Sequence, residues 1–260
     1  MATHGNRRTP ERGRHTVGTT ELVPDPARPS GWTLLVDGVP QSYVDLADPE
    51  HLEFPYVRLI ARALRGWSRT AVPEKVLHLG GGALTVPRLA ARWWPAAAQT
   101  VVEHDPELIG LVLREIPPAR PVEIVLGDAR EAVRRTPDRM YDVIITDAFT
   151  GAAMPPHLGT VEFARELRRV LRPGGLLVTN LTDVPPTAFT RIQAATLAAA
   201  FDQVGLMGET AVLRGRRAGN VIALAGAVPP LRMSRAEQLL REGELVVFFG
   251  GARPRTDAKP

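Results

Sequence analysis

The sequence predicts a doubly wound α/β fold with a mainly parallel, Rossmann-like sheet, preceded by a small N-terminal β-hairpin domain. Three observations carry this expectation. From residue 76 onward, short apolar runs alternate with segments of helical period, in a repeated strand, turn, helix rhythm. The runs "KVLHLG", "TVVEHD" and "YDVIITDAF" are strongly apolar, as strands covered on both faces are. Each run also ends near a glycine or a carboxylate, at the strand end where such sheets bind ligands.

The elements follow in order. Residues 1–16, almost without large apolar side chains, are expected to be a disordered tail. Residues 17–70 read as the small β-domain plus a linking helix. "TTELVPDP" and "GWTLLVDGVPQSYVDL" are short strands broken by proline, glycine and aspartate, and Leu52, Tyr56, Leu59, Ile60 and Ala63 then fall at helical spacing within 49–65. Residues 71–250 form the main domain. "KVLHLG", "TVVEHD", "VEIVLGD", "YDVIITDAF" and "LLVTNL" are its strands, with helices at "LTVPRLAARWW", "PELIGLVLREI", "AREAVRR", about 160–172 and about 187–201. "GETAVLRGRRAGNVIALAG" reads as two strands around a turn containing Gly-Asn, and 233–249 as a helix followed by an apolar strand-like run. Residues 251–260 are expected to be a flexible tail.

Composition narrows the chemistry. The chain of 260 residues is long enough for a sizeable core. It has no cysteine, which excludes disulfides, thiolate nucleophiles and cysteine metal sites. No apolar run approaches the roughly 18–20 residues of a membrane span, and no apolar signal segment follows the N-terminus, so a cytoplasmic location is expected. The net charge of +4 comes with scattered arginines and no basic block interleaved with aromatics, which disfavours nucleic acid as a partner. No H-E-x-x-H, P-loop or G-x-S-x-G pattern is present, so no metal is expected and hydrolysis is disfavoured.

Four strand ends carry the functional residues. Gly80, Gly81 and Gly82 allow close backbone approach to a ligand at a helix N-terminus, or serve a tight strand-to-helix turn. Glu103, some twenty residues on, can accept both ribose hydroxyls, or stand as a solvated acid. Gly127 and Asp128 follow the third strand, where Asp128 can accept from an adenine amine, cap the next helix, or do both. Asp147, after the fourth strand, is placed to orient or deprotonate a nucleophile, or to cap its loop. The glycines lack the G-x-G-x-x-G spacing of dinucleotide folds. Of the histidines, His78 reads as a core residue, His104 neighbours the ribose acid, and His157 lies in the loop 148–158, a possible gate.

"VLHLGGG", "VVEHDPELI", "GDAREAV", "YDVIITDAF" and "LRPGGLLVTN", in this order, resemble the class I S-adenosylmethionine-dependent transferases. More narrowly, with "LLVDGVPQSYVDL" and Tyr56 upstream, residues 20–226 resemble the spermidine synthase, or polyamine aminopropyltransferase, family. The resemblance implies that Gly80, Gly81, Gly82, Glu103, Asp105, Gly127, Asp128 and Ala129 hold the adenosyl part of S-adenosylmethionine or its decarboxylated form. It implies Asp147 as proton acceptor, Gln41, Tyr56 and Thr150 on the substrate side, an amine acceptor and a homodimer. Three positions depart from the family's pattern. Ala83 replaces an Asp after the glycines, Thr150 replaces the second carboxylate after strand four, and Val57 replaces the polar residue after the Tyr. Burying an ammonium without a partner is costly, so an ordinary diamine acceptor is disfavoured unless Glu53, Glu162 or Asp183 compensates. Three functions follow: aminopropyl transfer to a non-standard acceptor, methylation of a small molecule by intact S-adenosylmethionine, or nucleoside binding without catalysis.

Overall fold

The computed structural model describes residues 13–151 and 153–258. The expected N-terminal tail therefore lies mostly outside the described residues, and the first strand already begins at His15. The small domain is a four-stranded antiparallel meander rather than a single hairpin: β1 (His15–Val17), β2 (Thr20–Pro24), β3 (Gly31–Val36) and β4 (Val39–Asp45). Its inner face buries Leu22, Trp32, Leu34 and Val44 against Ala83, Leu84, Leu108, Ile109 and Val112 of the main domain. The linking helix α1 (Pro55–Trp67) starts six residues later than the 49–65 window, because Pro55 sets its first turn. Arg58 holds the extended stretch before it, donating to the Leu52 and Glu53 carbonyls at 2.6 and 2.8 Å.

The main domain alternates β5 (Lys75–Leu79), α2 (Thr85–Trp93), β6 (Ala98–Glu103), α3 (Pro106–Glu115), β7 (Glu123–Leu126), α4 (Ala129–Arg135) and β8 (Tyr141–Thr146). A short 3₁₀ turn (Pro156–Leu158) leads into α5 (Val161–Val170), β9 (Leu171–Asp183), α6 (Ala188–Ala198), β10 (Val204–Glu209), α7 (Thr210–Leu213) and β11 (Gly219–Gly226). β12 (Glu237–Arg241) and α8 (Glu242–Phe249) close it. The strand order is β12-β10-β11-β9-β8-β5-β6-β7, with β9, β8, β5, β6 and β7 parallel and β11, β10 and β12 joined antiparallel. The doubly wound, mainly parallel fold is thus the observed one. One face of the sheet buries Phe163, Leu167, Leu197 and Phe248 beneath α5, α6 and α8; the other buries Ile60, Leu64, Trp67 and Val86 beneath α1 and α2.

Three local expectations are corrected. The closing strands do not meet at a Gly-Asn turn: β10 lies earlier, "TAVL" coils into α7 with Val212 and Leu213 buried, and Gly219 and Asn220 open β11. In 233–249 the order is reversed. "EQLLR" is the strand because β10 offers it an edge to pair with, whereas "EGELVVFF" is helical and buries Leu245 and Phe248. Residues 251–258 are not a free tail, since Arg255 and Asp257 are hydrogen-bonded back onto α4, α5 and α6.

Candidate functional site

Chain order reverses between β5 and β8, the point at whose C-terminal strand ends sheets of this kind hold ligands. The two loops that leave these strand ends are packed tightly together. The Asp147 amide donates to the Leu79 carbonyl at 2.8 Å, and Gly80 lies directly against Asp147. A Cβ on Gly80 would sit 2.2 Å from the Asp147 carbonyl oxygen, and its φ of +100° lies where L side chains are strained. Glycine there is what allows the loops after β5 and β8 to touch.

Glu103 ends β6 with its side chain buried. One carboxylate oxygen accepts from the Gly81 amide at 2.8 Å, and the other from the His104 and Asp105 amides at 2.8 and 3.0 Å. The exposed His104 ring stands 3.0 Å from the second oxygen. Three backbone donors therefore aim this carboxylate at the glycine loop. Gly127 donates to the Glu103 carbonyl at 2.9 Å, which ties the third strand end to the second. Asp128 caps α4 through one oxygen, accepting from the Arg130 and Glu131 amides, while its other oxygen meets His157 Nε2 at 2.7 Å. Burial works to raise the Asp128 carboxyl, but the Glu131 amide, His157 and the Arg130 amide outweigh it and hold it below the ordinary value. Ala129 is buried at the start of α4, and Asp105 caps α3 by accepting from the Glu107 and Leu108 amides.

Asp147 stands at the mouth of β8, gripped from two directions. Asn180 Nδ2, from the end of β9, donates to one oxygen at 2.8 Å, and the Tyr56 hydroxyl, from the first turn of α1, reaches the other at 3.4 Å. Asn220, opening β11, donates in turn to Asn180 Oδ1 at 3.0 Å. Burial pushes the Asp147 carboxyl up, and the two donors offset only part of that rise. Burial, with the adjacent carboxylate second, also pushes the Tyr56 hydroxyl well up, so it stays a donor. A buried carboxyl with a raised proton affinity, held by two neutral donors beside a glycine-rich loop, has the character of a general base.

The structure thus brings together Gly80, Gly81, Glu103, Gly127, Asp128, Tyr56 and Asp147. Gly82 packs against Ser42 of the small domain, 3.1 Å from where its Cβ would lie. Gln41 sits at the bulge of β4 and makes no side-chain hydrogen bond among the described residues, and Thr150 is exposed in a turn pairing with Ala153. Ala83 and Val57 are both buried within apolar clusters. Two acids named as substitutes are committed elsewhere: Asp183 accepts from Thr190 and Val184, and Glu162 from the Asp257 amide. In the loop 148–158, Met154 and Leu158 are buried. His78 is a core residue, as expected. Sequence reasoning missed Asn180 and Asn220. For Asn180 the available signal was the polar pair Thr179-Asn180 closing the run "LLVTN".

Among the described residues, no three His, Cys, Asp or Glu side chains are placed to share a metal ion, and no helix is long and apolar enough to cross a membrane. A family model described as the spermine/spermidine synthase domain matches residues 53–194. The polyamine aminopropyltransferase of Vibrio vulnificus is 34% identical over 139 residues, covering 51% of this chain and 46% of that protein. The chain spans about half the length of the curated relatives it matches. The crystal structure of a probable spermidine synthase from Corynebacterium glutamicum superposes with a TM-score of 0.86 at 32% identity, covering 96% of this chain and 97% of that one. Human methyltransferase-like protein 13, solved with SAH, shares the fold at a TM-score of 0.55 and 18% identity, over 75% and 89% of the chains. The chain belongs to the spermine/spermidine synthase family.

Proposed function

We propose that this protein transfers an aminopropyl group from decarboxylated S-adenosylmethionine to an amine acceptor that is not a standard diamine. The observation that carries the reading is Asp147, hydrogen-bonded by Asn180 and Tyr56 and pressed against Gly80 of the nucleoside loop. Glu103 would take the ribose hydroxyls and Asp128 the adenine amine. Alkylamines are protonated at neutral pH, so the acceptor must lose a proton to attack. Its nitrogen forms a bond to the carbon beside the sulfonium, the carbon–sulfur bond breaks, and the electron pair leaves on sulfur as neutral methylthioadenosine. Asp147 orients the amine and accepts its proton, at a carboxyl whose raised affinity for protons suits a base.

The acceptor's character follows from what surrounds Asp147. Tyr56, Asn180 and Asn220 are neutral hydrogen bonders, and the departures at Ala83, Val57 and Thr150 bring in no second carboxylate. That suits an acceptor with one cationic nitrogen better than one with a charge at each end. A second reading, methyl transfer from intact S-adenosylmethionine, is favoured by Ala83 alone, since intact S-adenosylmethionine carries its own carboxylate beside its ammonium.

The test is incubation with decarboxylated or intact S-adenosylmethionine and a panel of mono- and diamines, read by mass spectrometry. Methylthioadenosine together with an acceptor gaining an aminopropyl group supports the proposal. S-adenosylhomocysteine instead establishes the methyl-transfer reading, and binding without turnover establishes a non-catalytic nucleoside-binding protein.

A further inference from the structure

The C-terminal segment reaches the nucleoside site through an unbroken series of polar contacts. After α8 the chain turns at Gly250 and Gly251 and runs back over α5 and α6. The Arg255 amide donates to Thr196 Oγ1 at 3.0 Å, the Arg255 carbonyl accepts from the Val161 amide at 2.9 Å, and the Asp257 amide donates to Glu162 at 3.0 Å. This backbone anchoring delivers the Asp257 carboxylate to Arg130, which grips it with both terminal nitrogens, at 2.7 and 2.6 Å. Arg130 is buried, its side chain only 7% exposed, and also lies 3.6 Å from Glu166 and over the Phe163 ring. The nitrogen that holds one Asp257 oxygen also donates to the His157 carbonyl at 3.1 Å. His157 in turn places Nε2 2.7 Å from Asp128 Oδ2, the oxygen left over when Oδ1 caps α4.

We propose that Asp257 and Arg130 are positioning residues for the nucleoside site, holding His157 against Asp128 and so orienting the carboxylate that receives the adenine amine. This rests on the reading of Asp128 given under Proposed function. A carboxylate oxygen has two lone pairs, so Oδ2 accepts from His157 and retains one for the nucleobase. The bidentate Arg130–Asp257 pair has the fixed fork geometry that transmits position as well as charge. Without it, the His157 carbonyl loses a fixed donor, and the end of the loop 148–158 is freed to swing from the adenine side.

The experiment compares the full chain with Asp257→Ala, His157→Ala and the double variant. Two quantities are read: hydrogen exchange of residues 154–159, and affinity for methylthioadenosine by calorimetry. Asp257 is part-exposed, so Asp257→Ala is expected to fold. It should speed exchange in 154–159 and weaken methylthioadenosine about three- to tenfold, the range of such indirect couplings. In the His157→Ala background the same substitution should leave affinity unchanged, because the route through His157 is already cut. Unchanged exchange, or unchanged or tighter binding in Asp257→Ala, overturns the proposal; so does an equal loss in both backgrounds. If the unaltered chain binds no methylthioadenosine, the nucleoside reading itself falls, and this role with it.

Discussion

Replacing Asp147 by Asn keeps the side chain's volume and the oxygen that Asn180 bonds, while removing the charge and the proton-accepting group. Turnover should fall about 10²- to 10⁴-fold, the usual contribution of a positioned base, with binding of methylthioadenosine retained. Stability should move the other way. The Asp147 carboxyl is raised by burial, so its charged form is less favourable in the folded chain than in the unfolded one. That cost is absent below the ordinary carboxyl value, about pH 4, and grows as pH rises through the raised value. Asp147→Asn should therefore melt higher than the parent at neutral pH, with the gap closing on acidification; an equal or lower melting temperature at pH 7 contradicts the burial argument. Gly80→Ala makes a harsher contrast. Its Cβ would fall 2.2 Å from a carbonyl oxygen that cannot move without displacing Asp147. It should lose more than about 1 kcal/mol of stability together with both binding and turnover, as urea unfolding and calorimetry would show. The strand-end positions of Glu103, Asp128 and Asp147 were legible because each follows an apolar run. Asn180 and Asn220 were not, because their pairing depends on β9–β11 register, which sets Asn180 opposite Ile222 and Asn220 opposite Thr182, forty residues apart in sequence.

At the level of elements, two acids at strand ends cap the helices that follow. Asp105 and Asp128 stand at the same point of successive units, each accepting two amides of the next helix. An N-cap is worth about 1 kcal/mol, so Asp105→Ala should lower unfolding stability by about that much. Asp128→Ala should cost a similar amount and also release His157, weakening methylthioadenosine further; chemical denaturation paired with ligand titration separates the two effects. The parallel units were readable from periodicity because each strand is buried on both faces and each helix on one. The antiparallel end was not. "EQLLR" has good helix formers, yet it becomes β12 because β10 leaves an unpaired edge and Leu239 and Leu240 pack onto the cores of the two faces. "EGELVVFF" has β-favouring residues but coils as α8, since only one helical face, Leu245 and Phe248, meets the core while Val247 stays exposed. Where tertiary pairing overrides propensity, a single sequence carries no local sign of it.

Across the whole molecule, β5 lies at the middle of the parallel part of the sheet, between β8 and β6, and carries a buried base. His78 is 1% exposed between the two layers of helices. Its Nε2 lies 2.8 Å from Gln99 Oε1, and Gln99 is oriented by donating Nε2 to the Pro87 carbonyl at 3.1 Å. Because that amide presents its oxygen, the ring donates from Nε2, which leaves Nδ1 bare and, in this structure, without a hydrogen-bond partner. Protonating Nδ1 would put an uncompensated charge into the core, and burial accordingly drives His78 down to about 4. The unfolded chain binds that proton near the ordinary 6.5, so stability is fully present above pH 6.5 and is lost as pH falls toward 4. Over that window the loss is of order 3 kcal/mol, at about 1.4 kcal/mol per unit of difference. Urea unfolding of the parent should show its midpoint falling steeply between pH 6.5 and pH 4. His78→Gln retains an amide donor for Gln99 and removes the titrating group, so its midpoint should fall much less over the same interval, even if it starts lower. Parallel slopes for the two proteins would mean that acid sensitivity arises elsewhere. Divergent slopes would tie the chain's lower pH limit to one imidazole in the strand that also carries the glycine loop.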